Sequence, residues 1–310
     1  MSNHTMKAIR IHEFGGPDQL ALEDVPRPEP QANEVLLRVK AAGVNPADWK
    51  MRAGYYQKFM PLPLPWTPGL EASGIVEAVG ADVTGLQAGQ AVYGLVNNAY
   101  AEYAVAPADQ LVLKSDKLTF DEAAGIPMGA LTAWQAVIED GAVQAGQRVL
   151  VQGAAGGVGH YAVQFACWQG ADVIGTASEG NFSFCRSIGA KELIDYRSTP
   201  FESVVSDVDV VIDTVGADVP ERSWQVLKPG GLFVTVASQI SPDDAAAHGV
   251  RAMMSRRAAP EKLKDIAALI EEGKVVPAVG EAFSLAQASE AHELSQTGHG
   301  RGRIILHVAD

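Results

Sequence analysis

The stretch Val149-Leu150-Val151-Gln152-Gly153-Ala154-Ala155-Gly156-Gly157-Val158-Gly159, continued by His160-Tyr161-Ala162-Val163-Gln164-Phe165-Ala166, reads as strand, glycine turn and helix. Val149 to Val151 is the short apolar run of a buried parallel strand, and Val158, Ala162, Phe165 and Ala166 recur at helical spacing on one face. Four glycines fall within the seven residues from Gly153 to Gly159. Glycine there lets the backbone turn sharply, admits a ligand without a Cβ in the way and seats the helix close to the sheet. The first helical N–H groups then face the turn, a setting that suits a phosphate. The strict dinucleotide pattern has glycine at its first, third and sixth positions, here Ala154, Gly156 and Gly159, so the first is replaced. A purely structural turn is the competing reading. The position after a strand, before a helix and among repeated strand–helix units favours a dinucleotide across the carboxyl ends of the strands.

Downstream, strands are expected at Asp172 to Thr176, Glu192 to Asp195, Asp209 to Asp213, Leu232 to Val236 and Val250 to Ser255. Between them lies a helix from Asn181 to Ile188, stopped by Gly189, and after them an amphipathic helix from Glu261 to Glu272. Such alternation implies right-handed crossovers and a doubly wound parallel sheet. Upstream the pattern differs. Lys7 to Ile11, Leu20 to Glu23, Glu34 to Ala41, Ala72 to Gly80, Gln90 to Gly94 and Ala101 to Ala106 are short strands punctuated by glycine and proline, as in a compact β-barrel. The change falls near Phe120, where Asp121 and Glu122 open a helix with acids in its first turn. The tail Arg301-Gly302-Arg303-Ile304-Ile305-Leu306 reads as a strand returning to the barrel.

The whole chain narrows the function classes. Its 310 residues allow about two domains. A net charge of -13 with only isolated basic pairs argues against nucleic acid as partner. No stretch reaches the ~18 apolar residues of a membrane span, and Met1 to Arg10 lacks the apolar core of a secretion signal, so the cytoplasm is expected. The two cysteines, Cys167 and Cys185, fall on apolar sides of helices and read as buried reduced thiols. At the end of the second parallel strand, Ala177 stands where a carboxylate would hold the ribose hydroxyls and repel a 2′-phosphate, which favours NADPH. Glu179 and the lack of a nearby Lys or Arg point the other way, leaving NADH possible, with Arg197, after Tyr196, as the candidate to reach the phosphate.

Jointly, Ala42-Gly43-Val44-Asn45-Pro46, Pro68-Gly69, Gly74 to Gly80, Leu131-Thr132-Ala133-Trp134, Gly153 to Gly159 and Arg301-Gly302-Arg303-Ile304 resemble the zinc-independent quinone oxidoreductases of the medium-chain dehydrogenase/reductase superfamily, the zeta-crystallin-like group. The resemblance runs nearly full length. It implies an α/β fold in which a Rossmann doubly wound parallel sheet, residues 123–262, is inserted into a GroES-like β-barrel formed by 1–122 and 263–310. It further implies reduction of quinones or α,β-unsaturated carbonyls by hydride from NADPH, commonly as a homodimer. Val250-Arg251-Ala252-Met253-Met254 is an apolar edge that such pairing would cover.

Zinc-dependent relatives carry a cysteine where this chain has Asn45 and a histidine where it has Leu70. Leu70 cannot ligate, and His292 and His299 read as surface residues, so no metal is expected. Without one, the oxygen that gains charge needs a hydrogen-bond donor. By resemblance Lys50 is the first candidate, Tyr56 a second donor or proton source, and Asn45 a lining residue. Asp48 either orients Lys50 or forms a turn. Tyr55, Tyr56, Phe59 and Trp66 read as an aromatic cluster for a flat ring, or as core. The same resemblance assigns Thr132, Gly156, Gly157 and Val158 to the pyrophosphate and nicotinamide side, and Ser178, Asn181 and Tyr196 to the adenosine end. Val215, Gly216, Ala237 and Ser238 flank the nicotinamide, and Arg303 closes over the cofactor. Relatives often have arginine where this chain has Gly180. The alternatives are a non-catalytic NADPH-binding regulator and an enoyl-thioester reductase, which would need a basic patch for its carrier.

Overall fold

The computed structural model describes residues 5–309. Residues 1–4 and 310, the outer ends of the first and last expected segments, lie outside the described residues. The fold is the expected α/β one. Six parallel strands run in the spatial order Glu192–Asp195, Asp172–Ala177, Arg148–Gln152, Val208–Asp213, Leu227–Thr235, Arg251–Met254. Counted along the chain from Arg148–Gln152, this is the order 3-2-1-4-5-6, which reverses direction beside the glycine turn. The strands are buried on both faces. Val149 and Val151 join a core with Val210, Ile212, Tyr161 and Phe165, while Leu150 points opposite into one with Ile174, Val211 and Phe233.

A second, seven-stranded sheet forms the barrel. Its long strand Glu34–Val44 pairs antiparallel with Glu71–Val79, with Tyr103–Pro107 and with the returning tail Arg303–His307. Val279–Ser284 runs parallel to that tail. The boundary expected at residue 262 differs from the packing. Leu263, Ile266, Leu269 and Ile270 of helix Lys262–Glu271 are buried with the parallel sheet, and the chain rejoins the barrel at Val279–Ser284.

The change of pattern near Phe120 has a local cause. Thr119 caps helix Phe120–Ala124 by accepting from the Glu122 N–H at 3.2 Å, while the Glu122 carboxylate accepts from the Thr119 N–H at 2.8 Å. The helix after the glycine turn, Gly159–Trp168, is buried all round from Gly159 to Ala166. Its one-face spacing understates this, because helix Pro127–Trp134 packs on its other side. A side chain on Gly159 would overlap the Gly153 carbonyl, so this helix starts directly against the strand end.

Three expectations need correction. His292 is buried, with Nε2 3.3 Å from the Tyr100 hydroxyl, because Ala288, Ala291 and His292 form the inner face of helix Ala288–Gln296; His299 is exposed. The aromatic cluster does not form a closed pocket: Phe59 is 85% and Tyr55 67% exposed, and Tyr55 meets Trp49 edge-on. Cys185 is buried but Cys167 only partly so; both are free thiols. Among the described residues no helix is long and apolar enough to cross a membrane.

Candidate active site

Strand register assembles the centre of the site. Ile304 pairs with Val44 and Ala72 with Ala42, which brings Arg303, Asn45 and Glu71 to one end of the barrel sheet. Arg303 Nη2 donates to Asn45 Oδ1 at 2.7 Å and to Glu71 Oε1. The same Glu71 oxygen accepts from Asn45 Nδ2 at 2.8 Å, and Oε2 accepts from the Met128 N–H at 2.7 Å, in the first turn of helix Pro127–Trp134. Glu71 is fully buried and Arg303 4% exposed. Gly43 is required here, since a Cβ on it would overlap the Glu71 carboxyl group. Arg303 also reaches the glycine turn: its Nη1 lies 2.9 Å from where a Cβ on Gly157 would stand, and Gly302 N–H donates to Ala155 O at 2.8 Å. One guanidinium thus spans the barrel and the parallel sheet.

Asn45 is the N-cap of helix Pro46–Arg52, and its N–H donates to Asp48 Oδ2 at 2.8 Å. Asp48 therefore forms the turn, with the Tyr100 hydroxyl as a second donor at 3.3 Å. Burial pushes this carboxyl up from 3.8 to about 7, with the neighbouring Glu71 charge raising it further and the Asn45 N–H and Tyr100 bonds opposing. Lys50, on the same helix, is half-buried with Nζ 5.6 Å from the Trp49 ring; Tyr56 is also half-buried.

At the parallel sheet, Gly153 has φ +73°, and the N–H groups of Gly153 and Ala154 donate to Thr176. Gly156 N–H closes the turn on Gly153 O at 2.9 Å. His160 Nδ1 bonds Gly156 O at 2.8 Å, and burial drives the imidazole down to about 4, so it is neutral. Asn181 Nδ2 donates to Ser178 Oγ at 3.1 Å, and Tyr196 is exposed beyond them. A depression of about 440 Å³ borders this end, lined in part by Glu179, Phe182 and Asp195. Val215, Gly216, Ala237 and Ser238 sit on neighbouring loops after the fourth and fifth strands, and Thr132 donates to Met128 O at 2.7 Å. The structure thus brings Asn45, Arg303 and Gly157 together, whereas Lys50 lies further along helix Pro46–Arg52 and Tyr56 beyond its end. Sequence reasoning misses Glu71, Tyr100 and Asp213. Glu71 alone carries a signal, as the neighbour of Leu70.

A parallel sheet of this order, a barrel and a basic side chain joining them define a two-domain dehydrogenase or reductase. Residues 31–116 match the alcohol dehydrogenase GroES-like domain and 188–306 the zinc-binding dehydrogenase domain. The chain is 34% identical to quinone oxidoreductase of Sus scrofa, over 97% of each chain. It is 32% identical to the chloroplastic NADPH-dependent alkenal/one oxidoreductase of Arabidopsis thaliana, over 97% of this chain and 79% of that one. The solved quinone oxidoreductase of Coxiella burnetii superposes with a TM-score of 0.91 at 37% identity, covering 99% of this chain and 100% of that one. The chain belongs to the quinone oxidoreductase group of the medium-chain dehydrogenase/reductase superfamily.

The zinc implied by one domain's description does not fit these residues. Asn45 offers an amide and Leu70 an alkyl group, and Glu71 is engaged by Arg303, Asn45 and Met128. Among the described residues no group of three or more His, Cys, Asp and Glu could hold a metal ion. A dinucleotide does fit. A Cβ on Gly156 would meet only Gly153 O, at 3.3 Å, and the Gly157 and Val158 N–H groups find no acceptor among the described residues.

The buried charges make stability sensitive to two changes. Arg303→Met strands the Glu71 carboxylate and is expected to cost about 3–5 kcal/mol of stability. In Glu71→Gln/Arg303→Met the cost falls short of the summed single costs by about 1–3 kcal/mol; denaturant titration giving additive costs would refute the coupling. For Asp48, the fold holds its proton up to about pH 7 and the unfolded chain only to 3.8, so this contribution to stability is present below pH 4 and lost as pH rises towards 7. Asp48→Asn removes the dependence, so its melting temperature gains on the parent between pH 4 and 7 and the gain levels off above. His160 and His292, lowered by burial to about 4 and about 3, act oppositely below pH 6.5 but equally in both proteins. A pH-independent difference would show Asp48 ionised throughout.

Proposed function

We propose that the chain is an NADPH-dependent reductase of quinones and α,β-unsaturated carbonyls, acting without metal between the barrel and the parallel sheet. The observation that carries this reading is the Arg303 guanidinium, which bonds Asn45 and lies against Gly157 of the glycine turn. The names of the pig and Arabidopsis relatives supply the acceptor class, and the latter the cofactor. On this reading Thr132, Gly156, Gly157, Val158 and Arg303 hold the pyrophosphate. Ser178, Asn181 and Tyr196 take the adenosine end, and Val215, Gly216, Ala237 and Ser238 the nicotinamide end. NADH is the weaker cofactor.

NADPH, when bound, supplies a hydride. Lys50 Nζ donates to the acceptor oxygen as negative charge develops there, and the Tyr56 hydroxyl is the proton source that completes the hydroquinone or saturated carbonyl. Asn45 lines the cavity, and Asp48 acts on both through the turn that starts their segment. The reading includes a homodimer joined along Arg251–Met254, the sheet edge where Met254 is 53% exposed. It also includes a cytoplasmic location, in keeping with two unpaired cysteines.

Steady-state oxidation of NADPH with 1,4-benzoquinone, 9,10-phenanthrenequinone and 2-alkenals is expected to give turnover; none on any acceptor would sink the reductase reading. Lys50→Ala is expected to lower kcat about 100-fold while leaving NADPH affinity nearly intact, and unchanged turnover would remove Lys50 from the mechanism. Sedimentation at micromolar concentration should show twice the 32.7 kDa chain mass. A monomer there would rule out the dimer.

A further inference from the structure

Asp213 and Thr235 end adjacent parallel strands, and the register places them opposite each other. Both are fully buried. Asp213 Oδ1 accepts from the N–H groups of Val215 and Gly216, each at 2.9 Å, and Oδ2 accepts from the Thr235 hydroxyl at 2.7 Å. Thr235 Oγ1 in turn accepts from the N–H groups of Ala237 at 3.1 Å and Ser238 at 3.0 Å. Four backbone donors from two loops are therefore gathered on one carboxylate–hydroxyl pair. Two of the four end on the carboxylate itself, and the other two on the hydroxyl that donates to it. The loops also touch: a Cβ on Gly216 would stand 3.0 Å from Ser238 Oγ. Thr214 ties the first of them to the opening strand by donating to Gln152 O at 2.7 Å.

We propose that Asp213 and Thr235 are positioning residues that clasp these two loops and so set the seat of the nicotinamide ring. The proposal rests on the dinucleotide reading given above. The adenosine end has its own support, at Ser178 and Asn181, two strands from Asp213 and three from Thr235. Loosening the clasp therefore weakens the nicotinamide half of the ligand and spares the other half.

Binding of NADPH and of adenosine 2′,5′-bisphosphate, which lacks the nicotinamide half, separates the two by calorimetry. Thr235→Val keeps the shape and removes the hydroxyl. It is expected to weaken NADPH about tenfold, with adenosine 2′,5′-bisphosphate unchanged and Thr235→Ser restored to parent affinity. Equal weakening of both ligands, or of neither, overturns the clasp and leaves the reductase reading standing. A parent protein that binds neither ligand overturns the dinucleotide reading and the clasp with it. Should Thr235→Val not fold, Asp213→Asn is put through the same comparison, and the same results support or overturn the clasp.

Discussion

Arg303 and Glu71 are both withdrawn from water, and neither charge is tolerable there without the other. Their positions are not free. Glu71 reaches its place because Gly43 leaves room beside it, and its second oxygen closes the first turn of helix Pro127–Trp134. Arg303 reaches its place because the tail strand pairs in register with the strand that ends at Val44, next to Asn45. The barrel, the helix that leads out of it and the dinucleotide turn are thus registered on one ion pair. The positive charge of Arg303 is itself fixed by two side chains, the Asn45 amide and the Glu71 carboxylate.

The polar groups beneath the pair have their charged forms disfavoured by burial. Tyr100 lies between His292 and Asp48, and burial lowers the histidine and raises the carboxyl. Asp48 still caps the helix that carries Lys50, since a carboxyl oxygen accepts the Asn45 N–H whether or not the group is protonated. The bond to the Asn45 N–H therefore persists as Asp48 ionises, while the stability Asp48 contributes falls as pH rises towards 7.

The strand order, the glycine turn and the barrel are legible in the sequence because each leaves a local mark: apolar runs, glycine clusters, period-two alternation. Asn45 and Arg303 are legible through motif resemblance, but their contact is not, since it joins residues far apart in the chain through a strand register. His292 looks solvated in the sequence because its neighbours Ala288 and Ala291 are small, and a weakly apolar face resembles an exposed one. Tyr55 and Phe59 mislead in the opposite sense, as apolar residues carried on an exposed loop. Asp213 leaves no mark at all: a carboxylate at a strand end signals nothing until the neighbouring strand brings a hydroxyl opposite it.

At the adenosine end, local charge decides how the second phosphate is received. A ribose with two free hydroxyls is favoured by a carboxylate, and a 2′-phosphate by a guanidinium. Ala177 denies the first, and Gly180, where a Cβ would have nothing within 4 Å, denies the second. What remains is Ser178 bonded to Asn181, a neutral polar rim with Glu179 beside it. On the proposed reading such a rim would meet a 2′-phosphate through hydrogen bonds. Ala177 removes one source of repulsion there while Glu179 supplies another, which makes the discrimination between the two cofactors shallow.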